Sequence, residues 1–155
     1  MSFQIHPLPD SAFAYLSGLS EEDLAARHIR TCVADEKPGF PCRVSLADAE
    51  IGDKVFLLHY EHQPNDTPYR ASHAIFVRAG AVSRQPEPDT VPESIAGRLL
   101  SVRAFDKAHA MIDAEVIEGR DVPGLISGMF ENPDVAYLHL HYARRGCFAA
   151  EVRRA

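Results

Sequence analysis

The sequence predicts an α+β fold, a mainly antiparallel sheet with short helices packed on one face or at one end. Segments with strand character outnumber helical segments, and those in the C-terminal half are separated by turns of hairpin length. The helical segments are short and do not alternate regularly with strands, as they would around a parallel sheet. The length of 155 residues fits one domain, so we expect a single globular domain over residues 1–155.

The N-terminal third combines short strands with short helices. Asp10 can cap a helix that ends at Gly18, and Ser20 begins a second helix whose first turn carries three acidic residues. Two prolines and a glycine indicate a loop after the second strand of this part. The predicted elements are strands at residues 3–8, 29–34 and 43–46, with the loop at residues 35–42.

The middle of the chain holds the clearest strand. Residues 54–60, KVFLLHY, place apolar side chains on both faces, which predicts a central strand buried on both sides. A polar loop with Pro64 and Pro68 follows at residues 61–71, and then a strand at residues 72–77. Three further prolines make residues 80–92 irregular.

The C-terminal half predicts two hairpins and two helices. The hairpins pair residues 99–105 with 110–117, and residues 135–142 with 147–152. One short helix follows Pro92, which suits a first helical turn. The other is capped by Asp121, and its apolar face is formed by Leu125, Ile126, Met129 and Phe130.

Composition narrows the range of functions. Sixteen basic residues oppose twenty-two acidic ones, giving a net charge of -6, which disfavours nucleic acid and membrane surfaces as partners. Three widely spaced cysteines form no CxxC pair or disulfide framework, and the first residues do not read as a signal peptide. No apolar run approaches the ~18 residues that a membrane span needs. We therefore expect a cytoplasmic protein.

Eight histidines are present, and five of them lie in predicted strands or at their ends. His139 and His141 are two residues apart in one strand and therefore share a face. Two imidazoles side by side can begin a metal site, but a third ligand is needed. The side chains considered for that third position are His59, His62, His73, Glu61 and Asp66.

Strand parity separates two of these candidates. His59 and His62 are three residues apart, so on one continuous strand they point to opposite faces and cannot bind the same ion unless the strand ends near Glu61. The candidate metal ligands are His139, His141 and His62, although nothing in their spacing demands a metal. The alternative is that these are half-buried structural histidines that hydrogen-bond backbone carbonyls.

The last hairpin also predicts which side chains lie beside these histidines. If the turn at residues 143–146 joins two regular strands, Phe148 lies opposite His141. The same pairing places Ala150 opposite His139. The histidines would then stand over small and aromatic neighbours.

The loop at residues 61–71 predicts a second kind of site. Its two prolines stiffen it, and long ordered loops often build binding sites. Arg70 offers a rigid fork of donors for a carboxylate or phosphate, and Tyr69 and His73 lie close to it in sequence. The alternative is that Arg70 merely pairs with Asp66 or Glu61. The candidate ligand-binding residues are Arg70, Tyr69, His73, His59, His139 and His141.

The sequence gives weaker support for other kinds of reactive site. Cys42 lies beside Arg43 and Cys147 follows a glycine, so either could be a reactive thiol, although burial as a structural cysteine is the commoner outcome. No G-x-S-x-G, P-loop or G-x-G-x-x-G motif occurs, and no motif indicates a cofactor. The sequence does not decide whether the protein is an enzyme. If it is, His73 or His139 is the candidate general base.

Three segments carry a resemblance to a known family. KPGFPCRVSLADA at 37–49, LLHYEHQPNDTPYRASHAIFVR at 57–78 and YLHLHYARRGCFAAEV at 137–152 resemble the bacterial family called domain of unknown function 1203. The resemblance covers nearly the whole chain and implies a bacterial single-domain protein. It implies no activity, cofactor or catalytic residue.

These observations lead to three functional hypotheses. The first is a pocket for a small anionic or polar molecule, with the histidine face of residues 135–142 as its wall and Arg70 binding the anion. The second is an interaction or scaffold module without chemistry, which includes a homo-oligomer formed through a sheet edge. The third is a metal-binding protein that uses His139 and His141.

Overall fold

A computed structural model describes all residues, Met1–Ala155, and shows the predicted α+β architecture, with eight strands in two antiparallel sheets and few short helices. The chain forms two compact units. Unit 1 comprises Met1–His6, Glu61–His73 and Gln85–Ala155, and unit 2 comprises Pro7–Tyr60 and Ala74–Arg84. The strands are β1 (Phe3–His6), β2 (Arg30–Val33), β3 (Lys54–Gln63), β4 (Ala71–Arg78), β5 (Leu99–Phe105), β6 (Met111–Glu118), β7 (Tyr137–Tyr142) and β8 (Phe148–Arg154).

The helices are all short. They are α1 (Glu21–Ala26), α2 (Glu93–Ala96) and α3 (Val122–Phe130), together with 3-10 turns at Asp10–Ala12, Ala14–Gly18 and Gly119–Asp121. Ser20 caps α1 as predicted, because its hydroxyl accepts a hydrogen bond from the backbone N–H of Asp23 at 3.1 Å. None of the helices has the length and apolar character required to span a bilayer.

Unit 1 is built on a five-stranded sheet in the order β1-β8-β7-β5-β6, in which every neighbouring pair is antiparallel. One face is apolar, and Arg154 on this face donates to the carbonyl oxygens of Phe130 at 2.8 Å and Val135 at 2.6 Å, which ties the end of α3 to the sheet. The fully buried residues of this apolar face are Ile5, Leu100, Val102, Ala104, Leu138, Leu140, Ala150 and Val152.

The opposite face of this sheet carries the polar and aromatic side chains, and we call it the histidine face. Cross-strand pairs share a face in an antiparallel sheet. The pairs His141–Ser101, His139–Arg103 and Tyr137–Phe105 therefore bring the residues of β7 beside those of β5. This register decides which groups surround the histidines.

The β7–β8 hairpin confirms one predicted pair and corrects the other. Phe148 lies opposite His141 as predicted, but His139 lies opposite Glu151 and not Ala150, which pairs with Leu140. The cause is a β-bulge beside Leu140 and His141, which shifts the register by one residue. The bulge replaces a predicted methyl group beside His139 with a carboxylate.

Unit 2 contains most of the second sheet, whose order is β2-β3-β4, so the segment KVFLLHY is central, as predicted. Its core comprises Leu16, Leu24, Ile29, Cys42, Val44, Phe56, Leu58, Ile75 and Val77. A groove of about 290 Å³ in this unit is lined by residues that include Asp10, Phe13, Phe56 and Val82. It contains none of the predicted site residues.

Several predicted boundaries are wrong. Residues 43–46 form turns and a bend, in which Leu46 has a positive φ of 53°. Isolated bridges lie beside them, between Pro41 and Asp48 and between Cys42 and Phe76. The predicted helix after Asp10 is a pair of 3-10 turns. Asp121 precedes α3 but makes no capping hydrogen bond, because its own backbone is already helical. Strand β3 continues to Gln63, three residues into the predicted loop.

Candidate metal centre

Three histidines from two strands meet on the histidine face of unit 1. His139 and His141 come from β7, and His62 lies near the end of β3. One nitrogen of each ring lies within 4.8 Å of a nitrogen of both other rings. The ring centroids are 4.7 Å apart for His62 and His141, 6.0 Å for His62 and His139, and 6.2 Å for His139 and His141. We call these residues the three-histidine cluster.

Each ring of the cluster has a buried nitrogen without a hydrogen-bond partner. The three atoms are His62 Nδ1, His139 Nδ1 and His141 Nε2. A buried polar atom without a partner costs about 1–3 kcal/mol, so three such atoms in one place need an explanation.

In His141, the second ring nitrogen has a partner, and this contact determines which nitrogen carries the proton and which presents a lone pair. His141 Nδ1 lies 3.0 Å from the carbonyl oxygen of Gly146, which can only accept, so Nδ1 carries the proton and Nε2 presents a lone pair. Gly146 has a positive φ of 80° in the hairpin turn, a conformation that glycine adopts without steric cost. The turn thus fixes the tautomer of a ring that is completely buried.

A carboxylate has the same effect on His139. Glu151 Oε2 lies 3.7 Å from His139 Nε2, and Arg153 forms an ion pair with the same carboxylate. This contact favours the proton on Nε2 and leaves the lone pair on Nδ1 directed away from the carboxylate. Burial acts to raise the pKa of Glu151, but His139 and Arg153 outweigh it and hold that pKa below its usual range. Glu151 is therefore ionised at neutral pH.

Two rings of the cluster, those of His62 and His141, are neutral over a wide pH range. Burial lowers the pKa of His141 to about 3, and nearby positive charges, including Arg103, contribute in the same direction. Burial also lowers the pKa of His62 to about 4, again assisted by His139 and Arg103. Both rings are therefore neutral at pH 7, which is the protonation state that a metal ligand requires.

Aromatic rings hold the cluster in place. Phe148 stacks on His62 at a centroid distance of 5.6 Å and meets His139 and His141 edge-on at 5.1 and 5.8 Å. Phe105 packs against His139 from the other side at 5.0 Å. These contacts restrict the rotamers of all three imidazoles, so the cluster is preorganised.

The dimensions of the cluster fit one metal ion. Three imidazoles bound to a tetrahedral zinc ion at about 2.1 Å have nitrogens ~3.4 Å apart and ring centres roughly 5 Å apart. The observed centroid separations of 4.7 to 6.2 Å bracket this value. Small rotations of the rings would close the three nitrogens around an ion.

One cationic side chain stands next to the cluster. Arg103 lies directly opposite His139 across the β5–β7 pair. Its guanidinium is half-buried, and burial lowers the pKa of this group. Its Nε donates to Ser101 Oγ at 3.2 Å, and no carboxylate forms an ion pair with it.

The structure brings together part of the predicted site. His139, His141 and His62 meet, and the charge of His73 is close enough to affect the pKa of His62. His59 is exposed on β3 and belongs to unit 2, in agreement with the parity argument that separates it from His62.

The predicted anion-binding loop residues have other partners. Arg70 forms ion pairs with Glu61 at 3.0 Å and with Asp66 at 3.3 Å, which is the alternative that the sequence left open. Tyr69 meets Phe105 edge-on at 6.5 Å and is 40% exposed. The loop is thus held together by its own charges.

Both cysteines considered as nucleophiles are buried. Cys42 is 2% exposed, and its Sγ accepts backbone N–H groups from Ser45 at 3.5 Å and Arg78 at 3.3 Å. Cys147 is 8% exposed. None of the three cysteines forms a disulfide.

Sequence reasoning missed Arg103 and Glu151 as members of the site. Arg103 lies in a strand whose parity places it on the polar face, but the β5–β7 pairing joins strands of different hairpins and leaves no local signal. Glu151 was hidden by the bulge, since a regular hairpin turns it away from His139. Neither residue could be assigned without the register.

The fold and the site together define an antiparallel α+β protein with a buried three-histidine cluster on one sheet. A family model matches residues 39–154, and the chain belongs to that family, DUF1203, whose description is "protein of unknown function". No curated protein and no solved structure matches the chain. The function must therefore be argued from the site itself.

Proposed function

We propose that this protein binds one divalent transition-metal ion of the zinc class through His62, His139 and His141. Two observations carry the proposal: the three imidazoles each bring one nitrogen within 4.8 Å of the others, and each ring has a buried nitrogen without a hydrogen-bond partner. A cation is the partner that can satisfy converging lone pairs, because no donor of the protein reaches them.

The donor set favours particular metals. Imidazole suits zinc, copper, iron and nickel, whereas magnesium and calcium prefer oxygen ligands. The contacts of His141 with Gly146 and of His139 with Glu151 are the supporting interactions that metal-bound histidines usually have. Because the rings of His62 and His141 are neutral at pH 7, protons do not compete with the ion at these two ligands.

The number of ligands bears on what the ion would do. Structural zinc sites have four protein ligands, whereas catalytic sites have three and leave one position for water or substrate. A bound ion of this type supplies a Lewis acid and lowers the pKa of a bound water to about 7. The residues of the chain would orient the ligands, through Glu151 and Gly146, and exclude solvent, through Phe148. A metal-dependent reaction is thus the form of enzyme activity that this site supports best.

The proposal is tested by titrating chelator-treated protein with cobalt(II), whose visible absorption bands report coordination. Wild-type protein is expected to bind one equivalent, and His62→Gln to lower the affinity at least tenfold, since glutamine lacks an acceptor at the position of Nδ1. The matched control is His59→Gln on the same strand, which is exposed and should leave the titration unchanged. Equal binding by wild-type protein and His62→Gln, or no binding by either, would contradict the proposal.

A supporting side chain gives a second expectation. Replacing Glu151 with glutamine removes the charge that orients His139, and such changes typically weaken metal binding 10–100-fold. We expect the metal dissociation constant of Glu151→Gln to rise within that range while the stoichiometry stays at one. Competition with a chelator of known affinity measures it. The control is Glu61→Gln, which removes a carboxylate that is paired with Arg70. If both variants weaken metal binding equally, Glu151 does not have this role.

A further inference from the structure

Arg103 is a second feature of the histidine face that neither the metal ligands nor the core explains. A half-buried guanidinium normally has a carboxylate partner, because taking a charge out of water is costly. Here it makes a single side-chain hydrogen bond, to the neutral hydroxyl of Ser101, and lies opposite His139. Its charge is close enough to lower the pKa of both His62 and His141.

The charge balance of the site also indicates that Arg103 lacks a negatively charged partner. A divalent ion on three neutral imidazoles adds two positive charges beside the one on Arg103. Glu151, the carboxylate that contacts the cluster, lies on the other side of His139 and is already paired with Arg153. No carboxylate forms an ion pair with Arg103, so positive charge would exceed negative charge between the ion and the guanidinium, and an anion from outside the chain could balance it.

We propose that the site takes a small molecule with an oxyanion group, a carboxylate or a phosphate, which binds between the metal ion and the guanidinium of Arg103. This inference rests on the proposed metal site. An oxyanion can use one oxygen as the fourth metal ligand and offer another to the fork of arginine donors, which matches carboxylate and phosphate geometry.

The same arrangement explains why Arg103 is tolerated beside a metal site. Without an anion, the guanidinium would oppose binding of the ion. With an oxyanion between them, the ion and the guanidinium both attract the same negative charge. Binding of the anion and binding of the metal should therefore strengthen one another. The first hypothesis drawn from the sequence, a small anionic ligand, is retained here with Arg103 in the place of Arg70.

The test uses cobalt-loaded full-length protein titrated separately with acetate and with inorganic phosphate, followed by the visible spectrum. Wild-type protein is expected to show a saturable spectral change with at least one of the two anions, and the arm that binds more tightly identifies the oxyanion class. Arg103→Gln should weaken that binding at least tenfold and retain one equivalent of cobalt. Arg103→Lys, which keeps the charge but loses the fork, should lie between them.

Controls separate this inference from the proposed function. Arg70→Gln removes an exposed, already paired arginine and should leave the anion titration unchanged. Normal cobalt binding with no anion effect, or with equal anion affinity in wild-type protein and Arg103→Gln, overturns the oxyanion site and leaves the metal site standing. Failure of wild-type protein to bind cobalt overturns both. Arg103-dependent anion binding that persists in excess chelator overturns the bridging arrangement.

Discussion

Saturating zinc is expected to raise the melting midpoint of this protein by about 8–16 °C. A ligand at 1,000 times its dissociation constant stabilises the folded state by about 4 kcal/mol. For a chain of 155 residues, each kcal/mol moves the midpoint by ~2–4 °C. The cluster exists only when β3 and β7 are folded, so the ion has little affinity for the unfolded chain. Thermal unfolding with and without zinc, after chelator treatment, measures the shift.

The variant that tests this expectation is His139→Gln. Its amide can still reach Glu151 from the position of Nε2, but it offers no acceptor at the position of Nδ1, so the fold is retained and one metal ligand is lost. The zinc shift should fall below a few degrees in this variant and remain complete in His59→Gln. A full shift in His139→Gln would show that zinc stabilises the protein elsewhere.

Acidification of the metal-free protein is expected to reduce its stability steeply below pH 6.5. The pKa of His62 in the folded state is about 4 and that of His141 about 3, against an ordinary value of 6.5 in the unfolded chain. Because the unfolded state binds these protons first, the stability is complete above pH 6.5 and is lost as pH falls toward the folded values. Two protons correspond to roughly 2.7 kcal/mol per pH unit, so about 4 kcal/mol is expected to be lost by pH 5.

The charged groups around His62 all act in one direction, whereas the hydrogen bond with the Gly146 carbonyl acts to raise the pKa of His141 and is outweighed by burial. Arg103 on β5, His139 on β7 and His73 on β4 all oppose a positive charge on His62. Urea unfolding between pH 7 and pH 5 in the presence of a chelator measures the slope. His62→Gln should reduce the slope by about half, since one of the two protons is removed, and His59→Gln should leave it unchanged. A slope that is the same in wild-type protein and His62→Gln would contradict the assignment.

Much of the site could be predicted from the sequence, because the face on which a side chain lies depends only on its position along its own strand. Side chains two residues apart share a face in any strand, so His139 and His141 had to point the same way. Residues three apart on a continuous strand lie on opposite faces, and β3 runs from Lys54 to Gln63, so His59 and His62 lie on opposite faces of it. The local pattern also predicted that KVFLLHY is a central strand and that residues 135–152 form a hairpin.

The register of strand pairs and the pairing of strands from different hairpins could not be predicted from the sequence. The bulge beside Leu140 shifts the β7–β8 register by one residue, and no residue type in the hairpin predicts it. One residue of slippage exchanges the two faces of a strand, and here it turned Glu151 toward His139. The pairing of β5 with β7, which joins two separate hairpins, placed Arg103 beside the cluster.

The sequence by itself determined the α+β class, the principal strands, and a face of β7 that presents two imidazoles. Those properties depend on side-chain alternation and turn residues, which act over a few positions of the chain. Only the tertiary structure decided that His62 completes the cluster, that Glu151 and Gly146 orient its rings, and that Arg103 rather than Arg70 stands beside it. His62 and Arg103 lie tens of positions from His139 in the chain, and the contact of Glu151 with His139 depends on the register of the β7–β8 pair. The burial that leaves the three nitrogens without partners exists only in the folded protein.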